Sequence, residues 1–199
     1  MPIRIIACGA FQDALKYLAV QANRPDLRIS YLRAGLHNHP LELNKALSRE
    51  IRIARQEGEN ILCLYGQCFP GMDDFLQKES VPRIAGAHCY EMFLGSHAFQ
   101  QIMEEEAGTY FLEKELLVHF IEYCVRPLEL EDPELRKWYF RHYKRLLYIR
   151  QPLDPDLLDE ARDVAQFLSL ELSVVDTDYA EMQANLFKLM NGAGSIGNV

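Results

Sequence analysis

Residues 3–7 read IRIIA, a short apolar run that is followed at once by Cys8 and then by a predicted helix. Residues 61–65 read ILCLY and form a second run of the same kind, shortly before Cys68. A third run, VPRIA, occupies residues 81–85. Short apolar runs bounded by turn residues are typical of buried strands. Strands that alternate with helices in this way predict an α/β fold with a mostly parallel, Rossmann-like sheet flanked by helices.

A cysteine follows each of the three runs, and this recurrence is the main functional signal in the sequence. The residues are Cys8, Cys68 and Cys89. Because the carboxyl ends of parallel strands lie along one edge of a sheet, where open α/β folds bind ligands, we expect the three thiols to converge there. Three thiolates suit a zinc site with one open position, or a [4Fe–4S] cluster with one iron available to substrate. The long spacings match no standard metal-binding motif, so three unrelated buried cysteines are the alternative.

Two further polar residues adjoin Cys89. His88 precedes it and is predicted as a further metal ligand that can replace one of the cysteines. Glu91 lies one turn further along the predicted helix, where it can also serve as a ligand, and is predicted as a catalytic carboxylate. Both Cys68 and Cys89 come where a helix is expected to begin, and a helix N-terminus lowers a thiol pKa. We therefore expect both thiols to be partly ionised at neutral pH.

The loop that reads LHNHP at residues 36–40 precedes a long predicted helix and offers another set of polar groups. His37 and Asn38 are predicted to reach the same sheet edge, with His37 as a catalytic proton-transfer group. The alternative is structural, because Asn38 or His39 can cap the helix with Pro40 as its first residue. Both interpretations are compatible with the sequence.

Composition and charge limit the classes of function. The chain has 199 residues and a net charge of −8 at pH 7, which argues against nucleic acid as a partner because phosphate binding needs a basic surface. The basic-aromatic stretch at 138–148 is interpreted as a helix that runs into a strand. No apolar stretch approaches the roughly 20 residues that span a bilayer, and the N-terminus has no charged leader. A cytoplasmic protein that does not bind membranes is predicted.

The cysteine count fits the prediction of a cytoplasmic protein. Five cysteines, an odd number in a chain expected to be cytoplasmic, argue against a set of structural disulfides. Cys63 lies inside a strand run and Cys124 inside a helix run, so both are predicted to be small buried hydrophobic residues. They differ in this from the three cysteines that are placed at turns.

The remaining pattern predicts a single α/β domain over residues 1–190, with possible lobes at 1–107 and 108–190, followed by a glycine-rich flexible tail at 191–199. Further strands are expected at 27–32, 145–149 and 170–175. Helices are expected at 11–21, 41–57, 72–77, 88–106, 113–124, 133–142 and 155–168, and from a capping box at Asp178 onwards. Residues 108–111 are expected to form a turn that leads into the helix at 113–124. Asp154 is expected to cap the helix at 155–168, with Pro155 as its first residue.

Six short pieces are spread over nearly all of the chain before this tail. They are Cys8-Gly9-Ala10, Leu36-His37-Asn38, Tyr65-Gly66-Gln67-Cys68, His88-Cys89-Tyr90-Glu91, Gly108-Thr109-Tyr110-Phe111-Leu112 and Phe140-Arg141-His142-Tyr143. Taken together, these pieces resemble the family known as domain of unknown function 1638. The chain departs from the family pattern at Phe69, where a glycine is frequent, and at Glu113-Lys114, where Thr-Asp is frequent.

Members of that family are often associated with corrinoid-dependent methyltransferase systems. The resemblance therefore implies a role in one-carbon metabolism, with a small-molecule substrate and a corrinoid protein or methyltransferase as a possible partner. Combined with the cysteine pattern, it leads to the expectation of a metal-dependent enzyme that transfers a methyl or other small group. The alternative is a non-enzymatic metal-carrying or accessory protein for such a system. A domain whose cysteines are only structural is the third possibility.

Overall fold

The strand β1 (Ile3–Cys8) is the middle strand of a parallel three-stranded sheet, with β2 (Leu27–Leu32) on one side and β3 (Asn60–Leu64) on the other. All six residues of β1 are buried. A strand that is covered on both faces has a continuous apolar sequence rather than an alternating one. The structure is a computed structural model that describes residues 2–22 and 24–195. In this part of the chain, the predicted α/β class with parallel sheets is confirmed.

The chain forms two units. The first consists of Met1–Met92 together with Tyr179–Val199, and the second consists of Phe93–Asp178. The lobe boundary expected at residue 107 therefore lies inside the second unit. The C-terminal segment returns to the first unit after the second has been completed.

The remaining elements follow in chain order. The helices are α1 (Gln12–Tyr17), α2 (Pro40–Gln56), α3 (Met72–Lys78), α4 (Cys89–Leu94), α5 (Ser96–Glu105), α6 (Lys114–Val118), α7 (Pro133–Phe140), α8 (Leu158–Leu168) and α9 (Ala180–Ser195). The strands of the second unit are β4 (Thr109–Glu113), β5 (Arg145–Arg150) and β6 (Glu171–Asp176).

The third apolar run, at residues 81–85, does not form a strand, and this part of the prediction is wrong. Only Arg83 forms an isolated parallel bridge, to Cys63 of β3. The Cys63 amide donates to the Pro82 carbonyl at 2.9 Å, and the Ile84 amide donates to the Cys63 carbonyl at 3.0 Å. Pro82 has no N–H to continue a ladder. The run therefore extends the sheet beside β3 at a single position.

The helix α2 covers the first sheet and contacts β1 and β3. Its buried residues are Leu43, Leu47, Ile51 and Ala54, which share one face as the sequence pattern predicts. Pro40 is its first residue, and the following Gly58 has a φ of +69°. Glycine adopts this left-handed conformation without strain, so the predicted end of the helix is confirmed.

In the second unit, a parallel sheet has the strand order β4–β5–β6. Two predictions are wrong here. The segment at 108–111 was expected to be a turn before a helix at 113–124, but β4 occupies it and the helical segment is divided into α6 and a π-helix at Ile121–Val125. The Asp154 carboxylate does not cap α8. It accepts hydrogen bonds from the Tyr148 hydroxyl at 2.7 Å and the Gln151 amide at 2.9 Å.

Two other helix boundaries differ from expectation. The helix predicted over 88–106 is divided into α4 and α5 at Gly95, which has a φ of +84°. The helix α9 continues to Ser195, so the expected tail from residue 191 begins within a helix, and residues 196–199 lie outside the described part. Among the described helices, none combines the length and the apolar character that crossing a membrane requires.

Candidate functional site at the carboxyl edge of the first sheet

Two of the three predicted cysteines lie at the carboxyl edge of the first sheet. Cys8 is the last residue of β1, and Cys68 lies in the loop that follows β3. Both thiols are close enough to the Tyr65 hydroxyl to raise its pKa, after the larger effect of burial. Tyr65 therefore marks a place where side chains from two neighbouring strands meet, as the strand arrangement predicts.

The Tyr65 hydroxyl is the most unusual polar group at this edge. The side chain is only 1% exposed, and among the described residues its hydroxyl has no hydrogen-bond partner of ordinary geometry. The nearby Cys8 thiol makes at most a weak contact with it. Leaving a buried hydroxyl without a strong partner costs about 1–3 kcal/mol. Such a group in a stable protein calls for an explanation, for example an ion or a water molecule.

The segment that leads to Cys89 lies against the Cys68 loop. The Gln67 amide donates to the Ala87 carbonyl at 2.8 Å. A Cβ atom added to Gly66 would lie 2.7 Å from the Ala87 oxygen and 3.2 Å from the His88 Cα. Glycine is required here because the two backbones approach so closely. The loop that carries Cys68 and the segment that leads to Cys89 are therefore neighbours.

The thiols at this edge differ in exposure and in acidity from what the sequence suggests. Cys8 is buried, whereas Cys68 and Cys89 are half-buried, and within the described part of the chain none of the five cysteines forms a disulfide. Burial raises the pKa of the Cys68 thiol, and a hydrogen bond from the Gly66 backbone and the charge of Arg83 only partly oppose this effect. Cys68 also precedes the start of α3 by several residues. The expectation that its thiol is partly ionised at neutral pH is wrong.

Cys68 is accessible to small molecules. It lines an open cleft of about 420 Å³, together with its loop neighbours and the first turn of α3. Cys63 lies behind this loop in β3 and is 1% exposed, and Cys124 in the second unit is 6% exposed. The prediction that these two cysteines are buried is confirmed. The accessible and the buried cysteines can thus be distinguished experimentally.

His37 and Asn38 lie on a short 3₁₀-helix at Ala34–Asn38, after β2. This segment reaches the same edge, because a Cβ added to Gly9 would lie 3.1 Å from the Leu32 carbonyl oxygen. His37 Nδ1 lies 2.8 Å from the Ala34 carbonyl oxygen, which can only accept a hydrogen bond. Nδ1 therefore carries a proton and donates it to this carbonyl oxygen.

The ionisation of His37 agrees with this assignment. Burial lowers the pKa of the imidazole, and the hydrogen bond to the Ala34 carbonyl only partly offsets the effect. The ring is therefore neutral at pH 7. His39 is the N-cap residue of α2, but its side chain makes no capping hydrogen bond. Side-chain capping of α2 therefore does not explain why a histidine occupies this position.

Glu91 has a local structural role. Its Oε2 atom accepts a hydrogen bond from the Ala87 amide at 2.7 Å, which holds the turn just before α4. The carboxylate thereby ties together the chain on either side of His88 and Cys89. A role as catalytic group for Glu91, and roles as metal ligands for His88 and Cys89, stay predictions.

No group of three or more His, Cys, Asp or Glu side chains within residues 2–22 and 24–195 is arranged so that it could hold a metal ion. The backbone brings the Cys8, Cys68 and Cys89 segments to one edge, but the three thiols do not form a ready coordination sphere. The predicted metal site, whether for zinc or for an iron–sulfur cluster, would need the side chains of these loops to move together.

Sequence reasoning missed two residues at this edge, Tyr65 and Arg83. Tyr65 looks like an ordinary strand residue, and its buried hydroxyl is visible only in three dimensions. Arg83 had a signal, because it is the one charged residue within the apolar run at 81–85. A charged residue in such a run is expected to be paired.

The architecture defines an α/β protein with two parallel sheets and a cysteine-bearing strand edge. A family profile described as a protein of unknown function (DUF1638) matches residues 31–186, most of the chain. The chain belongs to this family, as its sequence motifs predict. No curated protein and no solved structure matches it.

Replacing Gly66 with alanine is expected to destabilise the first unit by about 1–3 kcal/mol, the range for overpacking. The added methyl group would push the Ala87–His88 backbone away from the Cys68 loop. The matched control is Gly192→Ala in α9, where an added Cβ meets nothing within 4 Å. Denaturant unfolding followed by circular dichroism measures both variants. Equal stability of Gly66→Ala and wild type would contradict the close approach.

Proposed function

We propose that this protein is a metal-dependent enzyme whose metal is held by Cys8, Cys68 and Cys89, with His88 as a further ligand. The observation that carries the proposal is the buried Tyr65 hydroxyl, which lies near two of these thiols without an ordinary hydrogen bond. A bound metal with its coordinated ligands would place polar atoms there. The carboxyl edge of a parallel sheet is also where α/β proteins bind their ligands.

The donor set fits a soft or borderline metal ion. Thiolates suit zinc and iron–sulfur clusters, and three of them leave a coordination position open for a substrate. Burial keeps the Cys68 thiol protonated, so binding must displace its proton, as is usual when cysteine binds a metal. The accessible cleft at Cys68 gives an entry path for the ion and for a small molecule.

For the reaction class we propose transfer of a methyl or other small group in one-carbon metabolism. Support comes from the resemblance to the family, which implies an association with corrinoid-dependent methyltransferase systems. A corrinoid protein or a methyltransferase is the proposed partner. A bound metal would supply Lewis-acid activation of a substrate thiol or carboxylic acid. His37 would serve as the proton-transfer group for that substrate. Glu91 would keep the loop of the third cysteine in place.

Metal analysis of anaerobically purified protein tests the proposal. Zinc, iron and acid-labile sulfide are measured per chain, together with the visible spectrum. About one zinc, or about four iron with four sulfide, is expected for the shared site and identifies the metal chemistry. A colourless, metal-free protein that takes up neither zinc nor a cluster on reconstitution overturns it.

A second measurement separates an enzyme from the accessory protein that the sequence also permits. The loaded protein is mixed with a methylated corrinoid protein and a thiol acceptor, and methyl thioether is quantified. Catalytic turnover supports the enzyme. Tight stoichiometric binding of the corrinoid protein without turnover supports a metal-carrying or accessory role.

A further inference from the structure

Arg83 bonds to several separate groups at this edge. Its Nη1 atom donates to the carbonyl oxygens of Tyr65 at 3.1 Å and of Gly86 at 2.6 Å, and to its neighbour Ile84 at 3.1 Å. Its Nε atom donates to Asp73 Oδ1 at 2.8 Å. The Arg83 side chain is 14% exposed and its bonds to the carbonyls are partly buried, whereas the Asp73 side chain is 52% exposed, so that ion pair faces solvent.

These bonds join three separate segments. The Tyr65 carbonyl comes directly after β3, the Gly86 carbonyl belongs to the segment that leads to Cys89, and Asp73 lies in the first turn of α3, just after the Cys68 loop. The other oxygen of Asp73 accepts a hydrogen bond from the Gln67 side chain at 2.6 Å, within the same loop. One guanidinium thus fixes the loops of two predicted ligands relative to the end of β3.

We infer that Arg83 is a positioning residue for metal capture, which keeps the loop of Cys68 beside the segment that leads to Cys89. This inference rests on the proposed function. Arg83 itself is not a ligand, because a guanidinium has no lone pair to give. Only arginine offers donors in a fork wide enough to serve three carbonyls and a carboxylate together.

The test compares Arg83→Lys with wild type by anaerobic titration with Co²⁺, whose thiolate charge-transfer bands report sulfur ligation. Lysine keeps the charge but loses the fork. We expect about 10–100-fold weaker Co²⁺ binding, the usual effect of a residue that orients metal ligands. The charge-transfer intensity per bound cobalt should also fall, which a loss of stability alone would not cause.

The matched control is Arg55→Lys. Arg55 likewise bonds a carboxylate and a carbonyl, both of Glu79, but it lies at the end of α2, before β3 begins. The Arg55→Lys variant should bind cobalt with the affinity and the charge-transfer spectrum of the wild type. If Arg83→Lys does not fold, Asp73→Asn carries the test, because it removes the ion pair and keeps the bonds of Arg83 to the backbone carbonyls.

Hydrogen exchange of the metal-free proteins gives a readout that does not depend on the metal. Arg83→Lys should speed exchange in residues 66–68 and 86–89 more than elsewhere in the first unit. A variant that binds cobalt with wild-type affinity and spectrum overturns the inference alone. A wild-type protein that binds no cobalt overturns the proposed function, and this inference with it, whatever the exchange result.

Discussion

Cys68→Ala is expected to lower the affinity for a thiolate-bound metal more than about 100-fold, beyond the range for residues that only orient ligands. The loss removes one of three sulfur donors, and an alanine methyl group cannot replace it. Cys8→Ala and Cys89→Ala should have effects of similar size. The measurement is anaerobic titration of each purified variant with Co²⁺, followed by competition with zinc.

The chain provides its own controls for this series. Cys63→Ala removes a thiol that is 1% exposed behind the loop, and Cys124→Ala removes one in the second unit that lies 3.3 Å from the Tyr110 hydroxyl. Both variants should bind metal as wild type does. An equal loss at all five positions, or no loss at Cys8 and Cys68, would show that the cysteines do not form a shared site.

Glu113→Gln is expected to remove a large pH dependence of stability from the second unit. Glu113 ends β4 and is 4% exposed. Burial raises the pKa of its carboxyl group to about 7, although hydrogen bonds from the Glu115 and Leu116 amides oppose the shift. Those bonds, at 2.9 Å and 2.8 Å, cap the first turn of α6. The Gln151 side-chain amide lies 3.4 Å from the same carboxyl group.

The direction of the effect follows from proton binding. Between the ordinary glutamate pKa and about 7, the folded protein keeps a proton on Glu113 that the unfolded chain has released. Stability is therefore highest below that interval and falls as the pH rises through it. The full shift corresponds to about 3 kcal/mol. Glutamine is neutral at every pH, so the variant lacks this contribution.

Denaturant unfolding at several pH values between 5 and 8 measures the difference. Trp138 is the single tryptophan and lies in α7 of the second unit, so its fluorescence follows the unit that contains Glu113. From pH 5 to pH 8, the stability of Glu113→Gln relative to wild type should rise by about 2.5 kcal/mol, the part of the full shift that falls within this range.

Asp132→Asn is the control for this comparison, because Asp132 caps α7 from an exposed position. The change removes the same kind of charge from a helix cap without the burial. A relative stability of Glu113→Gln that stays constant from pH 5 to pH 8 would contradict the assignment of a buried, protonated carboxyl group.

Much of the fold can be predicted from local patterns. The strand at 27–32 matches its prediction at both ends, and α2 matches within one residue, because alternation of apolar and polar residues and a four-residue apolar spacing are strong signals. The placement of Cys8 and Cys68 at one edge follows from parallel strands alone. These features depend on neighbours in sequence, which a single chain displays directly.

The elements that were predicted wrongly share a different cause, because they depend on contacts between distant parts of the chain. Residues 109–113 form a strand because β5 pairs with them. The sequence of the segment itself does not indicate that pairing. Likewise, the run at 81–85 is apolar enough for a strand, yet Pro82 limits its pairing to one bridge. The orphan hydroxyl of Tyr65 and the bonds of Arg83 depend on residues distant in sequence, so only the folded chain reveals them.

The return of the C-terminal segment to the first unit has a consequence for synthesis on the ribosome. The helix α9 contacts β3, and Met182, Leu186 and Met190 are buried along it. These side chains leave the exit tunnel only after residues 93–178 have emerged. Until α9 has emerged, the first unit is incomplete and part of its apolar surface is accessible to chaperones. The second unit can already fold at that stage.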